Sequence, residues 1–256
     1  MTLCFSSLGS GSEGNALIVR VESSVLMMDC GFALAEAELR LARAGLEPRD
    51  LDAIVVTHEH SDHIGGVARF ARKHVIPVWL THGTAKALNE GSLSPSLLNF
   101  VDPHAPFSVG AIQVTPFLVP HDAHEPVQYV FSDGDARLGV LTDTGTITEH
   151  IVSALTGCGA LVLECNHDLD MLMNGPYPAS LKKRVAGRFG HLDNVTAASL
   201  LTSIDCSKLE HILAAHLSKQ NNLPQLATAA LAHALSCGQD WIGVANQENG
   251  FAWREI

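Results

Sequence analysis

The stretch THEHSDHIGG, Thr57 to Gly66, places four metal-capable side chains, His58, His60, Asp62 and His63, within six positions. It follows the apolar run Ala53-Ile54-Val55-Val56, which predicts a buried strand, and precedes a helical pattern carried by Ile64, Val67 and Phe70. On an extended segment, positions i and i+2 project to one side, so His58 and His60 serve one ion together. Asp62 and His63 come after the chain turns into the helix and are placed for a second. Imidazole nitrogen suits zinc, manganese or iron, and a carboxylate widens the choice. A solvated polar loop is the plain alternative, but it gives no reason for three histidines so close together.

Composition sets the bounds. The chain has 256 residues, with 46% hydrophobic and 17% charged residues, enough for a sizeable core. It shows no linker, internal repeat or low-complexity tract, so a single domain over 1–256 is expected. The net charge of −11 argues against a broad basic surface for duplex DNA. It leaves room for a local basic cluster, and bound divalent metals would add positive charge at a site. The first residues, MTLCFSSLGS, lack the basic start and apolar core of a signal peptide. No apolar run approaches the roughly 18 residues of a membrane span. The six cysteines form no CxxC pair and read as buried fillers in a reducing compartment, so a cytoplasmic protein is expected.

Along the chain, residues 3–8 and 16–28 read as strands separated by SLGSGSEGN. That Gly/Ser segment is a tight turn with positive φ or, alternatively, a nest for a phosphate. Asp29 ends a strand before Gly31 and reads as a carboxylate that braces a ligand or makes a turn. Residues 33–44 read as an amphipathic helix stopped by Gly45 and Pro48. A strand near Val78-Trp79-Leu80 and a helical or loop segment to about Asn99 follow. His74, His82 and His104 stand without partners at ligand spacing and read as surface or structural residues. The strand pattern Ile112–Phe117 leads to His121 and His124, between which spacing does not choose. Gln128–Phe131 and Arg137–Leu141 form a hairpin around Asp133-Gly134 and deliver Asp143. Ala160–Leu163 deliver Glu164, and Ile212–Ala215 deliver His216. His167 and Asp168 read as supports for a ligand or caps of the next helix. One device thus recurs: an apolar strand, then a residue suited to metal or proton chemistry. Strands interleaved with helices imply two mixed sheets covered by helices.

The order HxHxDH, His121, Asp143, His216 resembles the metallo-β-lactamase fold, an α/β (α+β) four-layer αββα sandwich with a dinuclear metal site at one edge. The resemblance implies that His58, His60 and His121 bind one ion, that Asp62, His63 and His216 bind the other, and that Asp143 bridges them. SGSEGN, DCG, THEHSDHIGG, HDA, TDTG, LECNHD, YPASLKKRVAGRFGHLDN and HLSKQNN together resemble the YycJ/WalJ-like group, relatives of ribonuclease Z and ribonuclease J described as 5′-to-3′ DNA exonucleases. One departure is Asp193, where the pattern has Ser. Asp is itself a good helix N-cap, so its structural effect is expected to be small.

This implies a hydrolase that cuts phosphodiesters in DNA, with RNA as the alternative polymer, using two divalent metals (zinc or manganese, with iron a third option). Two such ions about 3.5–4 Å apart acidify a shared bridging water and clamp phosphate oxygens. Asp62 is expected to orient that water and take its proton, and His191, supported by Glu164, to protonate the leaving oxygen. Lys182, Lys183, Arg184 and Arg188 form the one dense basic run, either a solvated helix face or contacts to substrate phosphates. Ser218 and Lys219 beside His216, and Asn222 as N-cap of a helix with Pro224 in its first turn, are further expected substrate contacts. The competing class is a small-molecule hydrolase of the same fold, a thioesterase, lactonase or cyclic phosphodiesterase. HxHxDH does not separate the two, whereas the basic run before His191 favours the polymer.

Overall fold

The computed structural model describes residues 2–88 and 91–256. Strands β1 (Leu3–Gly9), β2 (Ala16–Val21), β3 (Ser24–Met28), β4 (Ala53–Val55), β5 (Val78–Leu80) and β6 (Leu98–Phe100) build the first sheet. Strands β7 (Phe107–Val109), β8 (Ile112–Leu118), β9 (Val127–Ser132), β10 (Arg137–Leu141), β11 (Ala160–Glu164), β12 (His211–Ala215) and β13 (Gly243–Val244) build the second. Strand β14 (Phe251–Glu255) returns to pair with β1. The orders are β14-β1-β2-β3-β4-β5-β6 and β13-β12-β11-β10-β9-β8-β7.

The helices are α1 (Leu34–Arg43), α2 (Ser61–Ile64), α3 (Val67–His74), α4 (His82–Lys86), α5 (Glu149–Leu155), α6 (Leu169–Asn174), α7 (Ala179–Val185), α8 (Asn194–Ser203) and α9 (Pro224–Leu235). Three apolar clusters define four layers. Leu26, Met28 and Val55 of the first sheet meet Val114, Tyr129, Val140 and Val162 of the second between the sheets. Val25, Met27 and Ile54 face outward onto Leu41 of α1 and Phe70 of α3. Leu161, Leu163 and Ile212 face outward onto Leu155, Leu200 and Leu231. This is the αββα sandwich. It explains why the central strands read as unbroken apolar runs, since both of their faces are buried. Tyr129 also ties the layers: its hydroxyl, fully buried, donates to the Val56 carbonyl at 2.8 Å.

Each sheet is half antiparallel and half parallel. β3, β4, β5 and β6 are parallel, as are β10, β11, β12 and β13. β8 and β10 both pair antiparallel with β9 and so run the same way. The carboxyl ends of β4, β8, β10, β11 and β12 therefore reach one rim, where ligands gather in sheets of this kind. Residues 16–28 are not one strand. Glu22, at φ 54°, turns the chain between β2 and β3, and Val25 pairs with Arg20. The segment read as helix or loop up to Asn99 contains α4 and β6, while 89–90 fall outside the described residues. Among the described residues no helix is long and apolar enough to cross a membrane.

The first turn of the HxHxDH helix packs directly on Gly31. A Cβ there would lie 1.9 Å from the Asp62 carbonyl oxygen, whereas at Gly159 the nearest atom would be 3.5 Å away. Gly31→Ala is expected to cost about 1–3 kcal/mol in chemical unfolding, as overpacked sites do, and Gly159→Ala much less. Equal unfolding midpoints for the two variants would contradict this packing.

Candidate metal centre

Six imidazoles and three carboxylates converge on the rim. Donor atoms of His58, His60 and His121 lie within 4.8 Å of one another, as do those of Asp62, His63 and His216. Asp143 touches both groups: its Oδ2 lies 3.2 Å from His63 Nε2, and its Oδ1 lies 3.5 Å from His216 Nε2 and 4.0 Å from His121 Nε2. His58, His63, His121, Asp143 and His216 are all buried.

The protein holds the outward nitrogen of nearly every ring and so selects the inward one. His63 Nδ1 meets Asp29 Oδ2 at 2.8 Å, His58 Nδ1 meets Thr57 Oγ1 at 2.9 Å, and His121 Nδ1 meets the Gly190 carbonyl at 3.0 Å. His216 Nδ1 lies 3.3 Å from Glu164 Oε1. In each, Nε2 is left for the centre, and orienting a ring in this way raises its worth as a metal ligand. His60 is reversed: its Nδ1 faces His121 Nε2 at 3.2 Å, and its Nε2 faces the Asp122 carbonyl. The expected bracing role of Asp29 has a clear geometry. Its carboxylate also accepts the Thr57 N–H and hydroxyl, at 2.8 and 2.9 Å.

The charges interlock. Burial alone would lower the pKa of His63, but the Asp143 and Asp29 carboxylates beside it raise it well above the usual range. Burial likewise opposes protonation of His216, and Asp143 with Asp62 and Glu164 pushes it to about 10. Asp143 resists burial through His216 and His63 and stays well below the ordinary carboxylate range. His58, desolvated and beside His63, is lowered well below its usual value. Two buried acceptors, His58 Nε2 and Asp143 Oδ2, have no hydrogen-bond partner. Imidazoles, which bind a cation once they give up their proton, and a carboxylate aimed at one point, with acceptors left over, fit divalent cations.

A family model described as the metallo-beta-lactamase superfamily matches residues 9–182. The chain belongs to this superfamily. Within the superfamily, it is 37% identical over 243 residues to exodeoxyribonuclease YycJ of Bacillus anthracis, covering 92% of this chain and 90% of that protein. It is 32% identical over 244 residues to exodeoxyribonuclease WalJ of Streptococcus pneumoniae, covering 94% and 91%. The crystal structure of the metallo-beta-lactamase fold protein YhfI from Bacillus subtilis superposes with a TM-score of 0.76 at 15% identity, covering 100% of this chain and 99% of that one. That last likeness concerns the fold. Superfamily membership, these relatives and the His/Asp cluster identify a metal-dependent hydrolase.

The metallo-β-lactamase frame also separates residues that sequence left together. His121 enters the cluster, while His124 is exposed and pairs with Glu59 at 2.5 Å. His121 stands just past the end of β8, and His124 has already moved outward with the loop. His191 reaches the cluster through Glu164, whose Oε1 holds its Nδ1 at 2.8 Å and whose Oε2 accepts from the backbone of Thr144 and Leu192. Asp168 caps α6, and Asp193 caps α8 through Val195 and Thr196 N–H. The Ser-to-Asp departure thus serves as a cap.

The basic run disperses. Arg184 alone of the four lines the cavity beside the cluster, and it binds Asp122 Oδ2 at 2.6 Å. Lys182 donates to the Met173 carbonyl, Arg188 lies over the Phe189 ring, and Lys183 lies on α7 away from the cavity wall. Asn222 is not the N-cap of α9; Leu223 holds that place. The buried Asn222 amide instead donates to the Cys165 carbonyl and pairs with Asn194. Ser218 is buried and its hydroxyl accepts from Asn221 N–H, while Lys219 pairs with Glu13. His74 binds Glu38 and His82 stacks on Phe100, as structural histidines do.

Sequence reasoning assigned no role to Asn15, Thr57, Asp122 or Asn166. Asn15 Nδ2 lies 3.1 Å from His63 Nε2, and Asn166 Nδ2 donates to the His216 carbonyl at 3.1 Å. Their one signal in the sequence was adjacency to ligands or to the glycine-rich turn.

Asp29→Asn tests the bracing. Asn tolerates the left-handed backbone found here, at φ 61°. It cannot accept from Thr57 N–H, the Thr57 hydroxyl and His63 together. Metal affinity, measured by chelator competition, is expected to fall about 10–100-fold with the fold retained. Unchanged affinity would remove Asp29 from the centre.

Proposed function

We propose that the protein is a 5′-to-3′ DNA exonuclease that works with two divalent metal ions. The observation that carries the reading is Asp143 standing between two groups of three donors, in a chain whose relatives at 37% and 32% identity are named exodeoxyribonucleases. The polymer comes from those names, and the direction from the resemblance carried by YPASLKKRVAGRFGHLDN and HLSKQNN.

His58, His60 and His121 would hold one ion, Asp62, His63 and His216 the other, with Asp143 shared. Zinc, manganese and iron all suit these donors. When bound, the ions supply Lewis acidity toward a phosphate oxygen and acidify a nearby water. The remaining roles belong to side chains. Asp62 lines the cavity, less buried than the other carboxylates of the cluster, with Asn15 Nδ2 at 3.4 Å. It orients the attacking water and takes its proton as oxygen bonds to phosphorus. The bond from phosphorus to the 3′ oxygen of the departing nucleotide breaks, leaving a 5′ phosphate on the chain. His191 gives that oxygen its proton. Its Nδ1 is engaged by Glu164, so Nε2 is the nitrogen available. Burial disfavours the charged ring, but the Glu164 carboxylate outweighs it and raises the pKa of His191. Glu164 itself, despite burial, is held at about 2 by His191 and His216. Arg184 is placed to contact a phosphate, exchanging it for Asp122.

The test is degradation of end-labelled single- and double-stranded DNA and RNA with manganese or zinc supplied. DNA is expected to shorten from its 5′ end, and His60→Ala to be inactive. His191→Ala is expected to retain metal and lose about 10²–10⁴-fold in rate, the usual worth of a general acid. A wild type that leaves nucleic acid intact while hydrolysing a thioester or lactone would overturn the reading. Metal lost from His191→Ala would make His191 a ligand instead.

A further inference from the structure

Two cavities share a wall beside the centre. One, of about 400 Å³, is walled by His60, Asp62, Asp143, His191 and His216. The other, of about 590 Å³, runs from Ser10 past Leu217 and Ser218 to Asn246 and Asn249. Ser12 and Tyr177 are the residues that line both. Among the described residues, Tyr177 carries the one Phe, Tyr or Trp ring in either wall. The second tyrosine of the chain, Tyr129, is locked in the core. Tyr177 is half-buried between Pro176 and Pro178, and Pro178 is the N-cap residue of α7. Each proline restricts its own φ and the residue before it, so the ring is carried on a stiff segment.

We propose that Tyr177 is the platform on which a base of the substrate strand stacks, and that the second cavity is the groove that receives the strand beside the catalytic cluster. This rests on the nuclease reading above. The charge balance decides what must hold a strand there. A protein of net charge −11 draws little affinity from phosphates alone. The cation in the groove, Lys219, is ion-paired with Glu13 at 3.3 Å. The rest of the wall mixes amides and hydroxyls, such as Gln220 and Asn249, with the apolar Leu217, Leu223 and Val244, and adds a second carboxylate, Glu248. A strand held there draws its binding from base planes and edges, and an aromatic ring supplies a sequence-tolerant surface for the planes. The base that stacks is one at or near the 5′ end, because a base inside a duplex has both faces covered by its own stack whereas an end base leaves one open.

Kinetics on a labelled single-stranded oligodeoxynucleotide, intact or with an abasic residue at each of its first three 5′ positions, test this in the metal-loaded full chain. Tyr177→Ala and Tyr177→Leu are expected to raise KM about 5- to 150-fold, equivalent to about 1–3 kcal/mol of stacking, with kcat changed far less. Tyr177→Phe keeps the ring and is expected to stay within about twofold of wild type. An abasic residue at one of the three positions is expected to penalise wild type by a similar factor and to add little in Tyr177→Ala. Metal content and melting temperature show whether each variant is folded, and Tyr177→Leu, which retains bulk, stands in if the alanine variant is not. Tyr177→Phe as impaired as Tyr177→Ala, or abasic penalties that add fully, would overturn the platform. If wild type degrades DNA and Tyr177→Ala is unimpaired, the nuclease reading stands and the platform falls. If wild type degrades no nucleic acid, the nuclease reading fails and the platform with it.

Discussion

The carboxylate of Asp143 is buried at the rim of two sheets, with His63 and His216 within 3.5 Å. An isolated charge in such a place costs several kcal/mol, so it needs opposite charge at short range. Much of the local architecture answers that need. Asp29 and Glu164 stand behind the rings that face Asp143, and each is itself saturated by backbone and side-chain donors. The cluster is therefore two layers of carboxylate around one layer of imidazole. That arrangement orients rings and concentrates affinity for cations at one point.

The backbone pays for this placement with strain. Asp29, Asp143 and His216 all adopt positive φ, near 53–61°, immediately or soon after a strand ends. Non-glycine residues occupy that region at a cost of about 1–3 kcal/mol each when surrounding structure enforces it. Here the enforcement is visible. The buried strands hold the chain up to the turn, and hydrogen bonds capture the turned residue: His216 N–H donates to Ser10 Oγ, and Asp29 N–H to the Val55 carbonyl. A sharp turn at a strand end aims a short side chain back over the sheet rim instead of along the strand. Three independent strands use the same device on one centre.

The environment becomes less constrained away from the histidine and carboxylate cluster. His191 and Glu164 are fixed by 2.8 Å contact, but the face beyond them is a cavity bounded by α7, the Pro176–Pro178 segment and the loop bearing Asp122. Arg184 bridges this face by its pair with Asp122. The cluster is held by buried contacts, while the wall beyond it is built from residues outside it.

Much of the fold was legible in the chain. Unbroken apolar runs mean strands buried on both faces, and their alternation with helical patterns leaves few layered arrangements. HxHxDH named four metal-capable residues, because spacing along one short segment is a local property. Spacing did not choose His121 over His124, although the family resemblance did, and the dispersal of Lys182, Lys183 and Arg188 from the cavity and the burial of Asn222 were not legible. Each depends on where a loop lies relative to a different strand. The break at Glu22 was hidden for another reason: apolar residues continue on both sides of a two-residue turn. Strand and helix patterning pointed to mixed sheets covered by helices and local spacing to metal chemistry, while the αββα class followed from the family resemblance. Only the tertiary structure decided which nitrogen of each ring faces the centre and which polar residues meet across the rim, because, apart from Thr57 beside His58, those contacts join residues tens to hundreds of positions apart.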